Sequence, residues 1–252
     1  MGNQELTNNP TTVFHPLNPF DVLQLKTSYP NLQLTRIESG LVCQGNIVID
    51  NTFDGFPIKD MFAISILIMP DYPESIPLVR EIGGRTVKLF ETNKARIKDI
   101  LNLHVFPALS NAACLGALNE LRHKFPIGSR FDIFITELVV PYFYGLSFFE
   151  KKGYWPWGER SHGINGLLEA NSEIRNITRN ELLDFLNQLR RQAQWTQLVN
   201  YVRKMKPKRR CKRHCLCNSK KAFSVCHPKA WEGILKLHSD IKRHKLIHIL
   251  YQ

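Results

Sequence analysis

The feature that most constrains this chain is a cluster of cysteines close to its C-terminal end. Cys215, Cys217 and Cys226 lie within a twelve-residue stretch, and His227 directly follows the last of them. Three thiolates and one imidazole form a preferred ligand set of tetrahedral structural zinc sites. In a cytosolic chain such a cluster indicates a metal site rather than disulfides. The sequence therefore predicts that these four side chains bind a structural Zn²⁺ ion with no open coordination position.

Two residues just before the cluster leave its ligand set open. Cys211 and His214 lie in the stretch KPKRRCKRH, and either is an alternative for the fourth coordination position. The favoured interpretation is that both belong to a solvated linker.

Positive charge is concentrated at the same end of the chain. Residues 203–252 contain 15 lysines and arginines and two acidic residues, a net charge of +13, whereas the whole chain has a formal charge of +12. Such a segment attracts the phosphate backbone of nucleic acids electrostatically, and this attraction depends on salt concentration and not on base sequence. Nucleic-acid binding and a merely solvated helix face are both open at the level of sequence.

The first half of the chain has the pattern of strands. After a short helix predicted within 19–31, apolar stretches predict strands at 32–38, 41–50, 61–69 and 78–84. The short connections favour antiparallel pairing. The second half of the chain has helical periodicity. We therefore predict the α+β class: an antiparallel four-strand meander flanked by helices, plus a small C-terminal zinc-binding module.

The second half of the chain predicts helices. Residues 130–153 are largely apolar and predict a buried helix that Pro141 interrupts or kinks. Thr178 and Glu181 fit a capping box, and apolar spacing continues one amphipathic helix to about Met205.

These patterns give a predicted domain organisation. A final helix is predicted at 228–249. The predicted parts are a body at 1–175, a connecting amphipathic helix at 176–205, and a basic zinc module with the terminal helix at 206–252.

Neither a membrane span nor a secretion signal is predicted. The longest apolar run, at 62–70, is about half the length that a bilayer crossing needs. Residues 1–10 lack the cationic and apolar regions of a signal peptide. We therefore expect a soluble, cytoplasmic protein that does not contact membranes.

Three motifs of the body resemble those of a known family. Residues 72–77, Tyr-Pro-Glu-Ser-Ile-Pro, resemble the Tyr-Pro…Pro-Pro turn of ubiquitin-conjugating enzymes. Residues 104–107 and 113–116 resemble their His-Pro-Asn loop and Cys-Leu active site. The resemblance covers roughly residues 18–170 and is closest to divergent bacterial members. It implies the UBC fold, and it implies that Cys114 accepts a ubiquitin-like C-terminus as a thioester and passes it to an amine.

The chain departs from this family at the asparagine that stabilises the oxyanion. His104 is followed by Val105 and Phe106, so Asn111, three residues before Cys114, is the nearby amide that would replace it. An oxyanion donor is worth roughly 10²–10³ in rate. The resemblance thus implies Cys114, His104 and Asn111 as candidate catalytic residues. The alternative for Cys114 is a small buried apolar side chain.

A loop at 156–163, PWGERSHG, supplies two further candidates. Glu159 and His162 are three residues apart and are candidates for an acid/base pair, or for a pair in which Glu159 orients the histidine, with His162 as a general base near Cys114. The alternative is a structural loop in which both side chains satisfy backbone groups. A cysteine hydrolase that uses Cys114 and His162 is a third functional class, and it requires the two side chains within hydrogen-bonding distance.

The C-terminal cluster resembles the SEC-C motif, a zinc hook found at the end of the secretion ATPase and in many bacterial proteins. The resemblance rests on Cys-x-Cys-x8-Cys-His with Asn218-Ser219-Lys220-Lys221 inside it. Asn218 and Lys220 replace the two motif glycines, and Asn tolerates the left-handed conformation well. The resemblance implies a module that binds a partner.

Two functional interpretations follow. The first is a bacterial ubiquitin-conjugating enzyme, whose partners are an adenylating enzyme and a ubiquitin-like protein or another protein C-terminus, and which the resemblance links to antiphage defence. The second is a non-catalytic adaptor that binds a protein through its body and nucleic acid or a chaperone through its basic zinc tail.

Overall fold

The computed structural model describes residues 16–97, 99–158, 160–205 and 213–251. The chain divides into two compact units. The first contains the chain up to Thr52, Pro57–Ala113 and Ile127–Thr136. The second contains Phe53–Phe56, Cys114–Pro126 and the chain from Glu137 onward.

The described residues form a mixed set of strands and helices. The strands are β1 Leu32–Ile37, β2 Gly40–Phe53, β3 Phe56–Ile68, β4 Leu78–Glu81, β5 Val105–Phe106 and β6 Ala112–Ala113. The α-helices are α1 Pro19–Ser28, α2 Arg85–Thr92, α3 Leu118–Lys124, α4 Phe131–Phe134, α5 Val140–Lys152, α6 Gly163–Glu173, α7 Arg179–Arg190, α8 Trp195–Arg203, α9 Phe223–Cys226 and α10 Pro228–Arg243.

The strands form one six-stranded antiparallel sheet in the order β1-β2-β3-β4-β6-β5. The first four strands are neighbours in chain order, so the predicted four-strand meander is present. The two short strands extend it, since Ala112 pairs with both Arg80 and Phe106. The predicted α+β class is therefore correct at the level of its sheet.

The hairpin between β2 and β3 is tighter than the sequence predicts. The sequence predicts strands at 41–50 and 61–69, but the strands reach Phe53 and Phe56 and leave only Asp54 and Gly55 between them. Both residues have positive φ, 49° and 73°. Two-residue hairpin loops require that geometry, and an Asp-Gly pair adopts it readily.

The first unit buries one face of the sheet. Ile64, Ile66 and Ile68 of β3 are fully buried and alternate with more exposed residues, which is the period of two of a strand. The buried Asp21 carboxylate of α1 accepts a hydrogen bond from the backbone N–H of Phe131 at 2.9 Å. This bond fixes the start of the long apolar helix against the first helix.

The long apolar helix is continuous over Phe131–Lys152, but its pattern changes in the middle. A π-helical segment, Ile135–Val139, lies directly before Pro141. Proline has no N–H for the carbonyl one turn earlier, and a π-helical turn is a common way to accommodate such an interruption. The interruption predicted at Pro141 is therefore present.

This helix is also long and apolar enough to cross a membrane, since the mean hydropathy of its most apolar 18-residue window is 1.3. Within the protein, 67% of that window is buried. Such burial is typical of the core helix of a soluble protein, because a membrane span would expose its apolar surface to lipid.

The second unit has a helical core of its own. The segment predicted as one amphipathic helix forms two, α7 and α8, with the Thr178 and Glu181 capping box at the start of α7. The final helix, predicted to reach 249, ends at Arg243, and a 3₁₀ turn follows at Ile247–Tyr251.

The C-terminal module shares this helical core. Buried side chains of α6, α7, α8, α9 and α10 form one apolar cluster. The cluster includes Leu168, Leu186, Leu198, Phe223 and Ile234. The domain boundaries predicted at 175 and 205 thus lie within the second unit.

Candidate functional site

A small hairpin presents the first two cysteines of the cluster. The backbone N–H of Cys215 donates to the carbonyl of Lys221 at 2.8 Å, and that of Phe223 donates to the carbonyl of Arg213 at 2.9 Å. Two residues of its turn, Asn218 and Lys220, have positive φ values of 63° and 58°. Both residues thus have the left-handed backbone conformation that glycine favours.

The other two side chains of the cluster lie where α9 meets α10. Cys226 is the last residue of α9, and His227 is the N-cap of α10 with Pro228 after it. Proline has a helical φ, and the N–H that it lacks would have no partner within the helix at this position. It therefore starts a helix without the loss of a backbone hydrogen bond. This short turn between two helices directs both side chains toward the hairpin.

The four ligand atoms of Cys215, Cys217, Cys226 and His227 all lie within 4.8 Å of one another. The Cys215 Sγ to His227 Nδ1 distance is 3.0 Å, and the Cys217 Sγ to Cys226 Sγ distance is 3.6 Å. A tetrahedral ion with Zn–S bonds of about 2.3 Å separates its sulfur ligands by about 3.8 Å. The group could therefore hold a metal ion, as the sequence predicts.

Burial and hydrogen bonds give two thiols of this group different pKa values. Without a metal, burial raises the pKa of Cys215 to about 12, although the backbone N–H of Cys217 acts in the opposite direction. The pKa of Cys217 is lowered to about 7, mainly because the Ser219 side chain hydrogen-bonds to it. The Ser219 Oγ atom also lies 3.1 Å from the Cys226 Sγ atom. The Ser219 hydroxyl has one proton to donate, so it supports one thiolate at a time, and the lowered pKa of Cys217 shows its effect on that sulfur.

The hairpin is anchored to the helical core. Phe223 is fully buried, and its ring lies 6.3 Å from that of Tyr201 and 6.2 Å from that of Trp231. The Tyr201 hydroxyl donates to the carbonyl of His214 at 2.6 Å. A metal at this site would therefore connect elements that already share a core.

Of the two alternative ligands named above, the structure describes His214 and not Cys211. His214 is not one of the four clustered residues, and its backbone forms a bridge with Ala222. Cys211 lies outside the described residues.

The candidate nucleophile Cys114 directly follows β6, before α3. Its side chain is only partly exposed, and the other cysteine of the body, Cys43, is fully buried in β2. Burial raises the pKa of Cys114, the backbone N–H of Gly116 lowers it, and the negative charge of Glu120 raises it further.

The other predicted catalytic residues are distributed along the chain. His104 and Asn111 belong to the first unit, and both have left-handed backbones, with φ values of 51° and 57°. His104 ends a 3₁₀ turn directly before β5. His162 belongs to the second unit with Cys114 and is the N-cap of α6. Glu159 lies outside the described residues.

The sequence analysis missed one charged pair beside the candidate nucleophile. Glu120 of α3 accepts two hydrogen bonds from Arg160, at 2.8 and 3.2 Å, and forms an ion pair with Lys124. Arg160 is 40 residues away, so no local pattern could have joined the two. The spacing of Glu120 and Lys124 on one helix was the only available signal.

Comparisons of this chain with protein-family models, with curated proteins and with solved structures gave no match.

Proposed function

We propose that this protein is an acyl carrier of the ubiquitin-conjugating type, in which Cys114 forms the thioester and the C-terminal cluster holds a structural zinc ion. The observation that carries the proposal is the position of Cys114: a partly exposed thiol at the end of the last short strand after a four-strand meander. The motifs at 72–77, 104–107 and 113–116 supply the resemblance to ubiquitin-conjugating enzymes.

The local setting of Cys114 suits a carrier. The backbone N–H of Gly116, a residue with a φ of 149°, donates to the sulfur of Cys114. The raised pKa of Cys114 makes its thiolate a poor leaving group. A thioester on this sulfur would therefore react slowly with water, and its transfer to an amine would need assistance from other residues. In this proposal an adenylating enzyme loads a ubiquitin-like protein, or another protein C-terminus, onto Cys114 in the cytoplasm.

The residue roles follow the resemblance. Asn111 donates a hydrogen bond to the oxyanion in place of the family's asparagine, and His104 supports the loop that contains it. His162 and Glu159 assist proton transfer from the attacking amine. A link to antiphage defence rests on the resemblance alone.

The test is the intact mass of the protein recovered from its native host, with and without a reducing agent. We expect an adduct on the wild type that reductant removes, and an adduct on Cys114→Ser that reductant leaves in place, because an oxyester replaces the thioester. Cys43→Ser is the matched control and should keep the reductant-sensitive adduct, since Cys43 is fully buried. Unmodified masses for both the wild type and Cys114→Ser, with the fold intact, would overturn the proposal.

Zinc is the metal that this donor set favours. Three sulfur atoms and one imidazole nitrogen in a tetrahedral arrangement suit Zn²⁺, and four protein ligands leave no position for a substrate. Metal analysis of the purified protein should give one zinc per chain. Calcium, magnesium or no metal would contradict this assignment.

A second candidate function is a non-catalytic adaptor with the same body. The raised pKa of the Cys114 thiol favours it, because few thiolates are present at neutral pH. In that case the body binds a protein without forming a covalent bond, and the basic tail binds nucleic acid. DNA binding that falls steeply between low and physiological salt, with no adduct on Cys114, would select this candidate.

A further inference from the structure

A buried amide lies beside the most buried ligand of the metal centre. Asn165 is in the first turn of α6 and is 4% exposed. Its Nδ2 atom is directed at the sulfur of Cys215, 4.0 Å away. Its Oδ1 atom is buried as well, and it has no hydrogen-bond partner in the part of the chain that the structure describes.

A metal-bound thiolate has no proton, so it accepts hydrogen bonds and cannot donate one. The side chain of Cys215 is fully buried, so water does not reach this sulfur to supply a donor. The backbone N–H of Cys217 supplies one. The Asn165 amide is a second donor, and it comes from a helix 50 residues earlier in the chain.

We propose that Asn165 is a positioning residue of the metal centre, which donates an N–H···S hydrogen bond to the Cys215 thiolate and so strengthens and tunes metal binding. The inference rests on the proposed zinc site. The unsatisfied Oδ1 atom supports it, because a buried polar atom without a partner costs free energy that the other end of the amide must offset. Partners of this kind orient a ligand and withdraw electron density from it.

The test uses the full chain and two probes, Zn²⁺ in competition with a chromophoric chelator and Co²⁺ as a spectroscopic substitute. We expect Asn165→Leu to weaken zinc binding by about 10–100-fold, the range for loss of an outer-shell partner. We also expect its sulfur-to-cobalt charge-transfer band to move to longer wavelength. A thiolate without the hydrogen bond is the better electron donor, so the transfer of an electron from sulfur to cobalt requires less energy.

The chain offers a matched control on the same helix. Asn171 is fully buried, donates from Nδ2 to the carbonyl of Gly233 at 3.4 Å, and also has a buried Oδ1 atom without a partner among the described residues. Asn171→Leu should lower the melting temperature and leave both the zinc affinity and the cobalt band unchanged. A role of Asn165 in packing alone would give the two variants the same behaviour.

Asn165→Ala provides a second variant if leucine prevents folding, and far-UV circular dichroism identifies the folded forms. A folded Asn165 variant with wild-type affinity and a wild-type cobalt band overturns the inference and leaves the zinc site standing. Equal changes in Asn165→Leu and Asn171→Leu overturn it too. A wild-type protein that binds neither metal overturns the zinc site and this inference together.

Discussion

The guanidinium group of Arg160 holds the carboxylate of Glu120 with two hydrogen bonds, at 2.8 and 3.2 Å. Arg160 also pairs with Glu173, so one cation bridges two acidic side chains of the second unit. The Glu120 carboxylate acts electrostatically on Cys114 and raises the pKa of its thiol. The pair therefore links a stabilising contact to the reactivity of the candidate nucleophile.

Glu120→Gln should make Cys114 more reactive toward alkylating agents. Removal of the negative charge lowers the pKa of the thiol, which increases the fraction of thiolate at a given pH. The measurement is the rate of iodoacetamide labelling of Cys114 as a function of pH, followed by mass spectrometry. The rate profile should move to lower pH.

Glu173→Gln is the matched control for that experiment. It also removes a partner of Arg160, but Glu173 is not among the groups that shift Cys114. Its labelling profile should resemble that of the wild type. A Glu120→Gln profile that does not move would show that this carboxylate has no electrostatic effect on the sulfur.

Removal of one ligand should destabilise the second unit. Cys226→Ser leaves three ligands, and a chelator should reproduce its effect in the wild type, because metal binding to the folded state contributes directly to stability. Thermal unfolding with and without chelator measures both. Cys114→Ser is the control and should respond to chelator as the wild type does. A wild-type melting temperature that chelator leaves unchanged would contradict a structural metal.

Asn111→Ala should slow acyl transfer if this amide binds the oxyanion. The expected loss is roughly 10²–10³ in the rate of discharge from Cys114 to an amine. Ser110→Ala tests the adjacent residue of the same left-handed turn, with a φ of 54°, and should retain the rate. Discharge at the wild-type rate from Asn111→Ala would assign the oxyanion to another group.

The buried His238 should make the protein less stable in mild acid. Burial, and the charge of Lys242, lower the pKa of this histidine below its ordinary value of 6.5. The neutral form is favoured in the folded state, so its contribution to stability is complete above pH 6.5. The contribution is lost as the pH falls from 6.5 toward the lowered pKa. Urea unfolding at a series of pH values should show a smaller acid loss in His238→Gln, and equal losses would contradict the assignment.

Gly233→Ala should destabilise the contact between α6 and α10. A Cβ at this position would lie 1.9 Å from the carbonyl oxygen of Leu168, and backbone cannot move aside cheaply. We expect a loss on the order of 1–3 kcal/mol in the free energy of unfolding, despite the higher helix propensity of alanine. Urea denaturation measures it, with Glu232→Ala as the neighbouring control. A stabilised Gly233→Ala variant would mean that the helices cross farther apart.

The sequence by itself determined the features that depend on residues close together in the chain. The strands were predicted from apolar stretches such as 61–69, most of which lies in β3, and the start of α7 was predicted from Thr178 and Glu181. The candidate metal group was predicted completely, because its four ligands lie within thirteen residues and the turn between them is short. Patterns of this kind depend on chain neighbours, which the sequence displays directly.

Tertiary structure decided the contacts between residues far apart in the chain. Nothing in the sequence connects Asn165 to Cys215, or Arg160 to Glu120, because such contacts depend on how helices pack and not on any spacing. The same reason explains why no pattern in the sequence predicts that Phe223 is buried in the core of the neighbouring helices. Periodicity shows which face of a helix is apolar, and only the packed structure shows what that face contacts.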